Sequence, residues 1–411
     1  MFFLRGGLVL ILVSDLHLAD HPLRASFEAS AFIREVAAQV DACPQDDNVR
    51  LILLGDIFEL LKTPLWNSTN LRPWHKHSVE LESFVLRLTE QVIASNERFF
   101  SGLRDLKQDK SLQVELLPGN HDGLLGGDSG RLARAALRRA LNLTGGDAAF
   151  PTSYSDEAHG IWAQHGHEFD VFNSPSKIYP RFVAGDVVVV ELVAMLPTRV
   201  ACRLGIEEDD RRLRFLHELD NVLPQTGKGL VAWMQFGVSR LAESERGPIL
   251  TALKDALAEC ISSARAEARA HGDLGDGLSN FLAAMGRFVA SRGLAAASKL
   301  VRFEPLSVGE LSAVHGRALA IAGAQALSHQ DTFLFVAGHT HSPTHLAMPV
   351  GNDRVITYIN SGTWRRVYLC VNPDSGGRSF ATYNEESMLV VQKRVDKHPP
   401  AYDFRRQVRG L

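Results

Sequence analysis

A chain of 411 residues with 45% hydrophobic and 22% charged side chains has the make-up of an ordinary globular protein, long enough for one large elaborated domain or two. A formal net charge of −3 supplies no overall basic field to attract nucleic acid or an acidic membrane surface. Four cysteines, Cys43, Cys202, Cys260 and Cys370, lie far apart with no Cys-x-x-Cys pair. That spacing argues against a disulfide framework and a thiolate metal site, and fits a reducing, cytoplasmic setting.

The chain opens with Arg5 ahead of an apolar run over residues 7–13, superficially like a secretion signal. The run is short, lacks a small-residue cleavage site and flows straight into Ser14-Asp15-Leu16-His17, so it predicts a buried parallel strand over Leu8–Val13. A helical pattern follows near 27–40, then a strand over 51–54, helical patterns over about 78–106, a strand over Leu112–Leu117, a helix over 131–141 and a short strand over Ile161–Gln164. Strands separated by helix-length segments predict an α/β architecture. From about 171 to 330 apolar residues recur at helical spacing and alanine is abundant, notably over 252–270 and 311–327. This stretch reads as a large helical insertion, or cap. Strands resume over 333–337, 355–360, 366–371 and 388–395, and the residues from Lys397 read as a loose or partner-dependent tail. The expected division is a core of 1–170 and 331–396, a cap of 171–330 and a tail of 397–411. No apolar stretch approaches the ~20 residues that span a bilayer.

Five polar motifs punctuate this pattern: Asp15-Leu16-His17, Gly55-Asp56, Gly119-Asn120-His121-Asp122, His165-Gly166-His167 and Gly338-His339-Thr340-His341. Each follows an apolar strand. In open α/β sheets the ligand crevice lies outside the carboxyl ends of the strands, so motifs scattered in sequence converge in space. Aspartate and histidine without cysteine favour zinc, manganese or iron over a purely oxygen-liking magnesium site. An aspartate with two oxygens can bridge two ions, and two ions ~3.5–4 Å apart can generate a hydroxide and clamp a phosphoryl group. Glycines beside Asp56, Asn120 and His339 allow sharp backbone turns there.

In this combination the chain resembles the calcineurin-like metallophosphoesterase superfamily over residues 8–170 and 333–365. The resemblance implies a four-layer αββα sandwich, with two mixed sheets face to face and helices outside. It implies a first metal held by Asp15, His17, Asp56 and His341, and a second held by Asp56, Asn120, His165 and His339, with Asp56 bridging. Two divalent ions are expected, manganese first, with iron or zinc as alternatives. His121 matches the family's catalytic histidine, and Asp122 either orients it or stabilises the turn. Gly55-Asp56-Ile57-Phe58-Glu59 lacks the Asp-Arg-Gly signature of protein serine/threonine phosphatases. The stretches over 14–18, 54–59 and 338–343 look instead like bacterial UDP-2,3-diacylglucosamine pyrophosphohydrolases, which hold acyl chains under a helical lid. Two departures weaken that transfer: His121 stands where the group commonly has arginine, and the insertion is much longer. The implied function is a phosphodiesterase or pyrophosphohydrolase acting on a small or lipid-linked phosphoester, by metal-hydroxide attack on phosphorus. The alternatives are a nuclease or cyclic-nucleotide phosphodiesterase, and a binding scaffold without catalysis. Nucleic acid is a less favoured partner.

Three further stretches carry two readings each. The apolar segment 187–196 is either a core helix of the cap or the wall of a lipid-binding groove. The segment 278–303 places Phe281, Leu282, Met285, Phe288 and Val289 on one face with Arg287, Arg292, Lys299 and Arg302 around it, as in a surface helix or one resting peripherally on a membrane. His75 and His77, beside Trp66, Arg72, Trp74 and Lys76, occupy the loop after Asp56, either in contact with substrate or simply solvated. Residues 360–364 are expected to brace the sheet near the metals.

Overall fold

The computed structural model describes residues 8–21, 26–43, 48–110, 112–170, 172–174, 183–223, 227–271, 275–291, 316, 331–350, 354–371, 379–394 and 398–410. The segment 311–327, apart from Gly316, and Arg292, Lys299 and Arg302 therefore lie outside the described residues.

The protein is a mixed α/β structure with two mixed sheets. The first holds β1 (Leu8–Val13), β2 (Asn48–Leu54) and β3 (Leu112–Leu117) in parallel, in the order β3-β2-β1. It continues through the antiparallel β11 (Ser379–Gln392) to β10 (Arg366–Val371) and the two-residue β6 (Val222–Leu223). The second sheet has the order β4 (Ser153–Asp156), β5 (Ile161–Gln164), β7 (Leu334–Ala337), β9 (Arg354–Asn360) and β8 (Thr344–Val350), with β5, β7 and β9 parallel.

Two-residue alternation explains how the sheets meet. Leu10, Leu12, Ile52, Leu54, Leu117, Leu389 and Val391 from the first sheet share one apolar cluster with Ile161, Ala163, Leu334, Val336 and Ile359 from the second. The intervening residues Ile11, Val13, Leu51 and Leu53 turn the other way, against α1 (Ala29–Ala42), α2 (Val79–Ser95), α3 (Glu97–Lys110) and α4 (Arg131–Ala140). Both faces of β1 and β2 are buried, which is why they read as unbroken apolar runs. Three layers are thus in view. On the outer face of the second sheet, the described apolar cluster contains Phe169 from a short helical turn and no residue of an α-helix.

The insertion is helical over α5 (Ala184–Val188), a π turn at Val189–Val193, α6 (Met195–Leu204), α7 (Arg214–His217), α8 (Gly227–Ser239), α9 (Glu243–His271) and α10 (Gly275–Ala290). It also feeds β6 into the first sheet, and its apolar residues belong to the same cluster as the core helices. Val187, Val190, Leu192 and Leu196 are buried in that cluster, so 187–196 packs as cap core and not as an open groove wall. Phe281, Leu282, Met285 and Phe288 of α10 are likewise buried, which removes the apolar face a membrane would need. Among the described residues no helix is long and apolar enough to cross a membrane. The expected loose tail is corrected: Tyr402–Gly410 forms β12, antiparallel along β11 from Tyr383 to Val391. Its side chains are charge-rich and mostly exposed, with Tyr402 and Phe404 packed against the inter-sheet cluster, so backbone pairing supplies much of its order.

Cap and core are also joined by buried charge. Asp220 accepts from Lys62 Nζ and from the guanidinium of Arg365, and Lys62 also donates to the carbonyl of His217 at 2.7 Å. All three charged groups are buried. Burial alone would raise the Asp220 carboxyl, but Arg365 and Lys62 hold it well below the usual carboxylate range. Removing the anion strands two buried cations. Asp220→Ala is therefore expected to cost roughly 3–5 kcal/mol in urea unfolding. The wild-type advantage over the variant should be full above about pH 4 and shrink as acid protonates the carboxylate.

Candidate metal centre

Six strands that pair in parallel, β1, β2 and β3 in one sheet and β5, β7 and β9 in the other, carry site or bracing residues at their carboxyl ends. Asp15 follows β1, Asp56 follows β2, Asn120 and His121 follow β3, His165 follows β5, and His339 and His341 follow β7. The turns there are tight. Among the described residues six non-glycine residues have left-handed φ, and five are Asp15 (57°), His17 (48°), Asp56 (52°), His339 (72°) and His341 (53°). Such conformations cost on the order of 1–3 kcal/mol each and persist only where the surroundings enforce them. Gly55 and Gly119 are needed because a β-carbon on either would overlap the His165 ring, and on Gly119 also the Asp56 carboxylate.

The side chains converge in two sets. In the first, His17 Nε2 lies 3.1 Å from His341 Nε2, 3.9 Å from Asp15 Oδ1 and 3.8 Å from Asp56 Oδ2, while His341 Nε2 lies 3.2 Å from Asp15 Oδ1. In the second, His165 Nε2 lies 3.2 Å from Asp56 Oδ2 and 3.3 Å from Asn120 Oδ1, which is 3.1 Å from His339 Nδ1. Donors about 2.0–2.2 Å from one tetrahedral ion sit roughly 3.3–3.6 Å apart, so both sets have the spacing of a coordination shell. Asp56 Oδ2 belongs to both. Its other oxygen accepts from the His121 amide at 2.8 Å, so any bridging falls to a single oxygen.

The outer nitrogens of three histidines fix which ring atom faces inward. His17 Nδ1 donates to Glu59 at 2.9 Å, His165 Nδ1 to the Leu54 carbonyl at 3.0 Å, and His339 Nε2 to Asp170 at 3.1 Å. A neutral ring so held presents a lone pair to the interior, the arrangement metal-ligating histidines adopt. Burial, with Arg365 nearby, lowers His17 to about 4 and keeps it neutral. Its Nε2 lone pair therefore faces another imidazole nitrogen and two carboxylates. Asp15 Oδ1, fully buried, has no hydrogen-bond partner among the described residues, while Oδ2 accepts from Ser14 and from the His339 amide. Lone pairs gathered in this way repel unless a cation lies between them, and the donor set suits a divalent one.

Other residues hold the ligands. Thr363 donates to the Asp15 carbonyl at 2.6 Å, Ser361 bonds Ser14 at 2.6 Å, and Asn360 donates to the Gly338 carbonyl, so residues 360–364 do brace the turns. Asp122 accepts from the amides of Ile57, Phe58 and Gly119, so the geometry gives it the turn-holding role. Glu59 does the orienting: both its oxygens lie within 2.9 Å of His121 Nδ1. Burial works against charge on His121, but Glu59 and Asp56 raise it to about 10. His121 also lies close enough to His17 and Asp56 to share a coordination sphere with them. His167 is lowered to about 4 by burial and sits beside the His165 ring, 5.5 Å between centres.

Sequence reasoning assigned no role to Glu59, Asp170, Asn173 or Asp186. Glu59, three residues past Asp56, was within a recognisable motif. Asp170, held by the Phe172 amide and Asn173, lies close behind His165. Asp186 on α5 is raised to about 8 by burial and by Asp56 and Glu59, against the pull of His121. Nothing in its local sequence signals that approach. No protein-family model matches this chain, and no curated protein is similar enough in sequence to count as a relative.

Burial disfavours charge on His165, yet the Asp56 carboxylate raises it to about 10, so the metal-free site carries a proton there at neutral pH. Binding a divalent cation must expel that proton. Calorimetric titrations of the metal-stripped protein, in buffers of different ionisation heat, should register proton release near neutrality. Affinity should rise with pH by about tenfold per unit for each proton released.

Proposed function

We propose that this chain is a metallophosphoesterase of the four-layer αββα type, working with two divalent ions on a phosphodiester or pyrophosphate. The observation that carries the reading is the shared oxygen: two donor sets meet at Asp56 Oδ2, with His121 held beside them by Glu59. Asp15, His17, Asp56 and His341 would hold one ion, and Asp56, Asn120, His165 and His339 the other. Manganese is favoured, with iron or zinc as alternatives. Two such ions supply Lewis-acid charge for a phosphoryl group and a water-derived nucleophile at neutral pH.

The chain's own residues account for the rest. His121, protonated at neutral pH, can neutralise charge building on a phosphoryl oxygen or give its Nε2 proton to the leaving oxygen. Glu59 keeps the imidazolium charged and fixes its ring, and also orients His17. One carboxylate thereby couples ligand geometry to the acid. Asp170 and Asp186, on the strand-to-cap passage and the first cap helix, place the insertion at the rim of the site. The burial of Val190 and Leu192 takes away the groove argument for a lipid-linked substrate, so the small-substrate reading is preferred. A reducing cytoplasm, consistent with four cysteines far apart in the chain and no Cys-x-x-Cys pair, is the proposed setting.

Asp56→Ala should lose most bound metal and activity while its circular dichroism stays native, and two equivalents of metal retained by elemental analysis would end the bridging assignment. His121→Asn should keep both ions and lower turnover by on the order of 10²–10⁴. The loss should be smaller for nitrophenyl than for alkyl leaving groups. Equal losses would leave charge stabilisation as the role of His121, and loss of an ion would make it a ligand.

A further inference from the structure

Away from the deep centre, the loop after Asp56 meets α9, the longest of the described cap helices. There His75, Glu267 and His271 bring one ligand atom each to within 4.8 Å of one another. We propose that these three residues form a separate site for a zinc-class divalent cation, one that ties the core loop to α9.

Three features build the case. Glu267 and His271 are four residues apart on α9 and so share a face, and a Glu–His pair of this kind is common on solvated helices. What sets this pair apart is a third ligand from another element, carried by the loop that runs between the helical turn at Pro64–Ser68 and α2. The ligands are also oriented. His271 Nδ1 lies 2.9 Å from the Glu267 carbonyl, which can only accept, so the proton is on Nδ1 and the lone pair on Nε2. Trp74 Nε1 donates to Glu267 Oε2 at 3.0 Å and so fixes the carboxylate from behind. Outer partners of this sort are what hold metal ligands in place. Finally, the spacing fits. Two imidazoles on one tetrahedral ion, with Zn–N of about 2.0–2.1 Å, have ring centres on the order of 5–6 Å apart. Those of His75 and His271 are 5.9 Å apart.

Two histidines and one carboxylate, all half-buried, leave the fourth tetrahedral position to water. Imidazole-rich sites of this kind prefer zinc over magnesium or calcium. The same loop reaches the cap a second time, where Arg72 pairs with the buried Glu191. A cation at His75–Glu267–His271 would therefore reinforce an existing junction between core and cap. This inference does not draw on the function proposed for the deep centre.

The test uses the full chain, stripped with a chelator, reloaded with Zn²⁺ and desalted, with bound zinc counted by elemental analysis. His271→Ala and His75→Gln should each hold one equivalent fewer than wild type, since losing a ligand weakens a site by more than the roughly 10–100-fold that losing an outer partner costs. The same step should recur in an Asp56→Ala background, which separates this site from the deep one. In that background Zn²⁺ should raise the melting temperature, and adding His271→Ala should abolish the rise. If His271→Ala does not fold, His75→Gln gives the reading from a loop position outside any helix. Unchanged zinc content in a folded variant, in both backgrounds, overturns the proposal.

Discussion

Everything at the deep site depends on a pool of negative charge and lone pairs that the fold buries without enough internal donors. Asp15, Asp56 and Glu59 are all buried, and the neutral imidazole of His17 aims its lone pair among them. Water would solvate such groups, but the interior does not, so the cost of assembly falls on whatever positive charge lies nearest. In the metal-free protein that charge is protons on His165 and His121, each raised to about 10 against the effect of burial. A divalent cation held by these groups would relieve the same repulsion more effectively, because it would meet several lone pairs at once. Metal and proton are competing occupants of one electrostatic need.

The backbone is arranged around that need. Parallel β1 and β2 in one sheet and β5 and β7 in the other end at the same level, and their faces are locked together by Leu10, Leu12, Ile52, Leu54, Ala163 and Val336. Because the sheets cannot slide, the turns leaving them can be held in left-handed conformations that an isolated peptide would abandon. Five of these strained positions, Asp15, His17, Asp56, His339 and His341, belong to the two donor sets. The strain is thus distributed where rigid strands on both sides can oppose it.

This arrangement was largely legible in the sequence. Strands buried on both faces give continuous apolar runs, and each ended in a polar motif whose residue types are uncommon at strand ends without a task. The motifs gave the ligand atoms to be expected, and the structure brings all seven residues into two adjoining sets. What was not legible depends on partners distant in sequence. Asp186 gains meaning only because α5 passes near His121, and Asp170 only because β7 delivers His339 beside it. The strand β12 was missed since its side chains are mostly exposed and its order comes from backbone bonds to β11. The helical patterns over 78–106 did not mark the break at Asn96, whose side chain donates to the Val92 and Ala19 carbonyls where α2 ends.

The insertion was expected to stand over the core as a distinct unit, yet its packing makes it part of the same body. Its apolar residues join the cluster that covers β1 and β2, so no solvent layer separates the two. Polar contacts then fasten it at separate points: Asp220 to Lys62 and Arg365, Glu191 to Arg72, and Glu267 to Trp74. Opening such a junction would strand buried charges, each costing several kcal/mol. A lid that swings with every turnover needs an interface of low stability, and this one lacks that character. On the proposed reading, substrate selection would then follow from the fixed shape and charge of the rim, where Asp170 adds a carboxylate and Asp186, raised to about 8 by burial, a carboxylic acid. On that reading, positive charge brought by bound cations would offset the carboxylates Asp15, Asp56 and Asp170 for an incoming phosphate, so recognition of substrate would depend on occupancy of the metal site.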